Sequence, residues 1–290
     1  MEGRQVIEKR HHKVTGAGDL RLSVQDWGPI DAPVIILIHG WSQCHLAFER
    51  QADLARDFRL ILPDLRGHGT SDKPMVEDAY DQSEPWAKDM AAIIDHLGLV
   101  DAVMIGWSMG GWIVMDYLEH FGHEKLSGLG LVGSAVTNGK YLPPAAAKIR
   151  RNNAAKAVGM YREDLAENLT ATRAFLDVCF HQMPDAEDLA KMMGYNMLAP
   201  PMVRAAARLR QEDRRGVAEA TPIPAWIAWG KHERLAPDEM GEQALAHFPK
   251  GHKTVFENSG HSPFWEEADK FNSELATFAS TCFAQKRDAV

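Results

Sequence analysis

The chain has 290 residues, of which 45% are hydrophobic and 25% charged, and a formal net charge of -8 at pH 7. That length suits one large α/β domain with an insertion. The acidic balance speaks against a nucleic-acid partner, which needs a basic surface, and no apolar run approaches the roughly 20 residues that span a bilayer.

The segment Met1 to Lys13 is charged and lacks the apolar stretch of a secretory signal. Three cysteines, Cys44, Cys179 and Cys282, show no metal-like spacing. Sparse reduced thiols fit a cytoplasmic protein. Leu20 to Trp27 alternates in polarity and reads as an antiparallel strand, paired with one around Val6 to Lys13. Near-continuous apolar runs follow at Val34 to Ile38, Leu60 to Leu62, Val103 to Ile105 and Leu129 to Val132. Such runs suit parallel strands buried on both faces. Helical patterns over Ser83 to Leu97 and Gly111 to His120 separate them. Strand and helix in alternation predict a doubly wound, mostly parallel sheet with right-handed crossovers.

Strand signals stop between Ala135 and about Gly216, where Pro143, Pro144, Pro184, Pro200 and Pro201 punctuate several helical stretches. The strand pattern resumes at Pro224 to Gly230 and again at Lys253 to Phe256, and a last helix is expected over Phe264 to Phe283.

Gly106-Trp107-Ser108-Met109-Gly110 sits between an apolar run and a helical one. A turn that tight needs neighbours almost free of side chain and strains the serine backbone. The strain aims the hydroxyl out of the sheet, while the following helix offers N–H groups to a developing anion. Downstream come Glu233, in Lys231-His232-Glu233-Arg234, and His261, in Ser259-Gly260-His261-Ser262-Pro263. Upstream lie His39-Gly40-Trp41 and Asp64-Leu65-Arg66-Gly67-His68-Gly69. Serine, then acid, then histidine resembles the α/β-hydrolase fold, and the likeness spans nearly the whole chain. It implies an eight-stranded sheet, a core of residues 1–135 and 217–290, and a helical cap over residues 136–216.

The resemblance also implies roles. Ser108 would be the nucleophile, His261 the base that takes and returns its proton, and Glu233 the acid that orients the imidazole. The family usually has aspartate four residues before a proline, and Glu233 keeps that spacing to Pro237. Asp238 is the alternative acid, although as the start of a helix it suits a cap. The Trp41 and Met109 N–H groups would hold the oxyanion, each contributing about 3 kcal/mol. His39 and His68 read as loop braces, no metal ligand set emerges, and no cofactor is expected. The bland readings are a plain turn serine at 108 and a solvated loop histidine at 261.

A serine at position 108 excludes the aspartate-nucleophile dehalogenases and epoxide hydrolases of this fold and points to acyl transfer from an ester, thioester, lactone or activated amide. Trp41, Trp107 and the Gly260 to Phe264 segment resemble serine carboxylesterases acting on a pimeloyl-carrier methyl ester. They also resemble the cofactor-free haloperoxidases, or perhydrolases. Lys148, Arg150, Arg151, Lys156 and Arg162 form a basic cluster that would dock a carboxylate or an acidic carrier protein, or else a solvated helix face. Trp107, Phe175, Phe180 and Met183 are candidate substrate contacts. The Met- and Phe-rich insertion, with Met160, Met192, Met193, Met197 and Met202, would equally serve as packing. A ring-cleaving dioxygenase on the same fold is disfavoured because Trp107 stands where those enzymes carry histidine. A silent binding protein with an intact triad stays open.

Overall fold

The computed structural model describes residues 7–288 and, within them, every side chain except those of residues 154–156. One eight-stranded sheet has the order β1 (Lys9–Thr15), β2 (Arg21–Trp27), β4 (Arg59–Pro63), β3 (Val34–Ile38), β5 (Ala102–Trp107), β6 (Leu126–Val132), β7 (Ala225–Gly230), β8 (Gly251–Phe256). β2 pairs antiparallel with β1 and β4, and all other pairs are parallel. The helices are α1 (Ser83–His96), α2 (Met109–Phe121), α3 (Pro144–Ala157), α4 (Leu165–Cys179), α5 (Ala186–Asn196), α6 (Pro201–Ala206), α7 (Arg215–Glu219), α8 (Asp238–His247), α9 (Pro263–Glu266) and α10 (Ala268–Asp288). Among the described residues, no helix is long and apolar enough to cross a membrane.

Every residue of β3, Val-Ile-Ile-Leu-Ile, is buried. Ile36 and Ile38 join the core layer with α1 and α2, whereas Ile35 and Leu37 join the opposite layer with the segment His45–Arg56 and α10. A strand with protein on both faces has no side for water, so its polarity does not alternate.

Three boundaries differ from the sequence reading. β1 begins at Lys9 because its pairing runs from Lys9 opposite Trp27 to Thr15 opposite Arg21; Val6 lies outside the described residues. The last helix is split at Glu267, whose φ/ψ of -122°/52° leave the helical region. Its carboxylate accepts from the Asn258 N–H at 2.9 Å and the Ser259 hydroxyl at 2.6 Å, tying the chain to the loop before His261. α7 straddles position 216, so the helices between β6 and β7 run on to Glu219.

This helical insertion is fastened by buried guanidinium groups. Arg210 Nη2 donates to both Asp116 oxygens at 2.6 and 2.7 Å, and its Nε donates to Glu212 at 2.7 Å. Arg214 reaches Asp116 and Glu119, each at 3.0 Å. Arg204 is fully buried and bonds neutral oxygens: Asn168 Oδ1 at 2.7 Å, the Met160 carbonyl at 3.2 Å and the Asn196 carbonyl. The Trp41 indole N–H donates to the Arg204 carbonyl at 3.0 Å and so pins α6 above the end of β3.

Candidate active site

Ser108 stands between β5 and α2 with φ/ψ of 54°/-117°, a region that costs a non-glycine residue about 1–3 kcal/mol. The turn closes because its flanks are bare. A Cβ on Gly106 would meet the Gly110 carbonyl carbon at 2.3 Å, and one on Gly110 would meet the Ile38 carbonyl oxygen at 2.2 Å. Ser108 N–H donates to the Val132 carbonyl at 2.8 Å, which ties the turn to β6.

His261 Nδ1 and Glu233 Oε2 are 2.5 Å apart, and their side chains are 3% and 2% exposed. The other carboxylate oxygen of Glu233 accepts from the Leu235 and Ala236 N–H groups at 2.7 and 3.3 Å. Both oxygens are therefore committed and the acid cannot swing away from the ring. Asp238 opens α8 without forming a cap; its exposed side chain pairs with Lys253, so it does not approach the histidine. His261 N–H donates to the Cys179 carbonyl at 3.0 Å, and its own carbonyl accepts from the Trp107 indole at 2.8 Å. Ser108 and His261 line one cavity. Among the described residues no hydrogen bond joins them, in keeping with contacts that tighten only around substrate.

That cavity opens at the C-terminal ends of the parallel strands, where open α/β sheets bind ligands, and the insertion roofs it. With its mouth it encloses about 1020 Å³ of empty space. Trp41, Met109, Trp107 and Phe175 all line it. Among the described residues, neither the Trp41 nor the Met109 N–H donates to another protein group. Gly40 brings that backbone so close that a Cβ on it would stand 3.2 Å from Ser108 Cβ.

Phe180 and Met183 are corrections. Phe180 is 3% exposed and packs into the layer behind Trp107, away from this cavity, while Met183 is 38% exposed and lines no part of it. The reason is α4, which ends at Cys179: the extended chain beyond it is drawn to α9, where Glu266 accepts from the His181 and Gln182 N–H groups. The basic cluster splits similarly. Arg150 reaches the cavity wall, Lys148, Arg151 and Arg162 face outward, and the Lys156 side chain lies outside the described residues.

Three residues escaped the sequence reading. Gly133 has φ +52°, and a Cβ there would lie 2.9 Å from His261 Nδ1 and 3.2 Å from Glu233 Oε2, so the end of β6 forms the floor under this pair. Glu266 accepts from Gly260 N–H at 2.7 Å with one oxygen and from His181 and Gln182 N–H at 2.7 and 2.9 Å with the other. Arg208 lines the cavity from the insertion. A glycine after an apolar run was the one available signal for Gly133; the other two depend on folds that no local pattern encodes.

His39 and His68 are buried in the loop layer. His39 Nδ1 faces the Gly40 carbonyl at 2.8 Å and its Nε2 accepts from Leu65 N–H at 3.0 Å. Burial pulls the His39 imidazole down to about 4 and His68 down to about 3. Cys44, His45 and Asp64 form the one cluster of metal-ligating types among the described residues. Asp64 already accepts from the His45 N–H and ring at 2.8 Å each, and from the Thr70 N–H and hydroxyl at 2.8 and 3.0 Å. Burial pushes the Cys44 thiol up to about 12. The donor set suits a loop clamp rather than a metal centre.

The family described as alpha/beta hydrolase fold matches residues 33–268. An AB hydrolase superfamily protein of Bacillus subtilis, YisY, is 29% identical over 93% of this chain and 99% of its own length. A 2-hydroxy-6-oxononadienedioate/2-hydroxy-6-oxononatrienedioate hydrolase of Pseudomonas sp is 30% identical over 89% of this chain and 91% of its own length. The crystal structure of the esterase RhEst1 from Rhodococcus sp. ECU1013 superimposes with a TM-score of 0.85 at 29% identity, covering 94% of this chain and 99% of that one.

Proposed function

We propose, for a chain that belongs to the alpha/beta hydrolase fold family, that it is a serine hydrolase cleaving carboxylic esters, thioesters or lactones through an acyl-enzyme on Ser108. The observation that carries this reading is the buried His261–Glu233 pair sharing a cavity with a serine held at positive φ. His261 Nε2 removes the hydroxyl proton as Ser108 Oγ attacks the carbonyl, then returns it to the departing alcohol. A water repeats the sequence on the acyl-enzyme. Glu233 keeps Nδ1 protonated and stabilises the imidazolium, and the Trp41 and Met109 N–H groups receive the oxyanion. The esterase neighbour supports the ester reading. Interception of the acyl-enzyme by peroxide would use the same residues with a different acceptor.

The test is mass spectrometry after fluorophosphonate treatment at pH about 7.5, followed by a panel of esters and lactones. A stoichiometric adduct on Ser108, lost in His261→Ala, is expected. The hydrolase relative is named for a 2-hydroxy-6-oxo-dienedioate, a keto diacid that contains no ester. Turnover of such a 6-oxo-dienedioate with no ester cleaved would replace the proposed reaction.

A further inference from the structure

We infer that the cavity carries an anion subsite built from Arg150 and Arg208, and that the ester this protein prefers bears a second, ionised group, a carboxylate or a phosphate. The inference rests on the proposed hydrolase reading only in taking this cavity as the substrate site. Arg150 comes from α3 and Arg208 from the turn after α6, so both descend from the insertion toward the wall that Ser108 and His261 complete.

Their guanidinium groups lie against that wall. Arg150 sits 5.6 Å from the ring centre of Trp112 and Arg208 5.1 Å from that of Trp41, and both rings line the cavity. Neither arginine meets a carboxylate among the described residues. Among the described residues, Arg150 donates only to the Asn138 amide oxygen and, at 3.4 Å, to the Arg208 carbonyl, and the Arg208 side chain donates to no group. Among the described residues no aspartate or glutamate lines the cavity. Elsewhere in this acidic protein the buried arginines that meet each other are neutralised, as Arg210 and Arg214 are by Asp116, Glu119 and Glu212.

Two like charges held together at an apolar wall repel, and each keeps free donors in a fork that matches an anionic oxygen pair. Burial and then the Arg208 charge lower the Arg150 guanidinium to about 10, still cationic at neutral pH. A ligand anion would remove the repulsion, whereas a neutral ester would leave it standing. The subsite is therefore a selector as well as a binder, since the same pair rewards one substrate and penalises its uncharged analogue.

The test compares near-isosteric pairs on the wild-type protein: monomethyl adipate against methyl hexanoate, with the charge on the acyl side, and 4-acetoxybutanoate against butyl acetate, with the charge on the alcohol side. The charged member of one pair is expected to lead by about tenfold or more in kcat/KM at low salt, and the lead should shrink as salt is raised. In Arg208→Met that ratio is expected to collapse toward one; Arg150→Met is the second variant should the first fail to fold. Calorimetry on Ser108→Ala reads the same subsite without turnover. Tighter binding of monomethyl adipate than of methyl hexanoate supports the inference, and tighter binding of hexyl phosphate assigns the anion as a phosphate. Ester turnover with no charged preference in either pair overturns the anion subsite and leaves the hydrolase reading standing. Charged preference in calorimetry with no ester cleaved does the reverse.

Discussion

The strand ends and the helical insertion above them are held by different physics. At the strand ends the polar contacts run to backbone groups: Glu233 takes the Leu235 and Ala236 N–H groups, Ser108 N–H takes Val132, and His261 is gripped through its own N–H and carbonyl. In the insertion the fasteners are long cationic side chains crossing between distant segments, Arg204, Arg210 and Arg214. Backbone anchoring fixes a reacting atom to a fraction of an ångström and tolerates little change. Side-chain anchoring costs more in desolvation, yet it leaves the roof free to vary in what it presents to a substrate. On the proposed reading, the chemistry is thereby separated from the selection.

The largest effects should follow damage at the strand ends. Ser108→Ala removes one hydroxyl from a turn whose strain is set by its neighbours, so kcat should fall by about 10⁴-fold or more while the unfolding free energy moves little. Glu233→Gln keeps the shape but loses the charge opposite Nδ1, and a fall of about 10³–10⁴-fold in kcat is expected with an esterase assay. Wild-type kcat in that variant would remove Glu233 from the proposed triad.

Damage to the insertion's fasteners should instead appear as stability. Asp116→Asn leaves Arg210 and Arg214 facing less negative charge in a dry site, and about 3–5 kcal/mol of unfolding free energy should be lost in urea titrations. A loss under about 1 kcal/mol would mean that Glu119 and Glu212 suffice, and that the roof is held as redundantly as the strand ends.

Between the two regions lies the loop layer of His39 and His68, which predicts an acid response. Both imidazoles are pulled below their usual value of 6.5 by burial, to about 4 and about 3. The unfolded chain therefore binds two protons that the folded chain refuses, so stability is complete above pH 6.5 and declines as the pH falls below it. Burial raises the Asp116, Asp89 and Glu266 carboxyls, which work in the opposite sense and make the decline shallower. Each of the two histidines should add about 1.4 kcal/mol per pH unit to the slope between roughly pH 6 and 4.5. His68→Asn, which retains a donor for the Arg66 carbonyl, should flatten it; an unchanged slope would place the acid sensitivity elsewhere.

The two regions also differ in what could be read from residues alone. The parallel strands were legible because burial on both faces produces apolar runs, and the Ser108 turn because only bare neighbours permit it. Glu233 could be placed by its spacing to Pro237, but what separates it from Asp238 is the pair of amides at Leu235 and Ala236, a tertiary fact. The insertion was legible only as helix. Phe180 and Met183 looked like pocket residues by composition, and the end of α4 turned both away. Arg208 carried no signal, because a cationic residue in a surface-like helix pattern says nothing about which wall its chain will meet.

Glu266 offers the finest test of whether the two regions are independent. One carboxylate oxygen accepts from Gly260 N–H, beside the proposed base, and the other from His181 and Gln182 N–H, at the end of α4. Burial, helped by the nearby Glu233 charge, outweighs the pull of these three N–H bonds, so its carboxyl stands above the ordinary glutamate value. In Glu266→Gln one oxygen becomes an NH₂ that points donor at donor. The side that rotates to meet the NH₂ must give way. About 1–3 kcal/mol of stability should be lost, and kcat should fall by about tenfold with KM little changed if the His261 loop is the side that shifts. If KM rises while kcat holds, the roof has shifted instead. Loss of stability alone, with both kinetic constants at their wild-type values, would mean that Cys179 and Trp107 position His261 without help, and that the two regions meet at Glu266 without influencing one another.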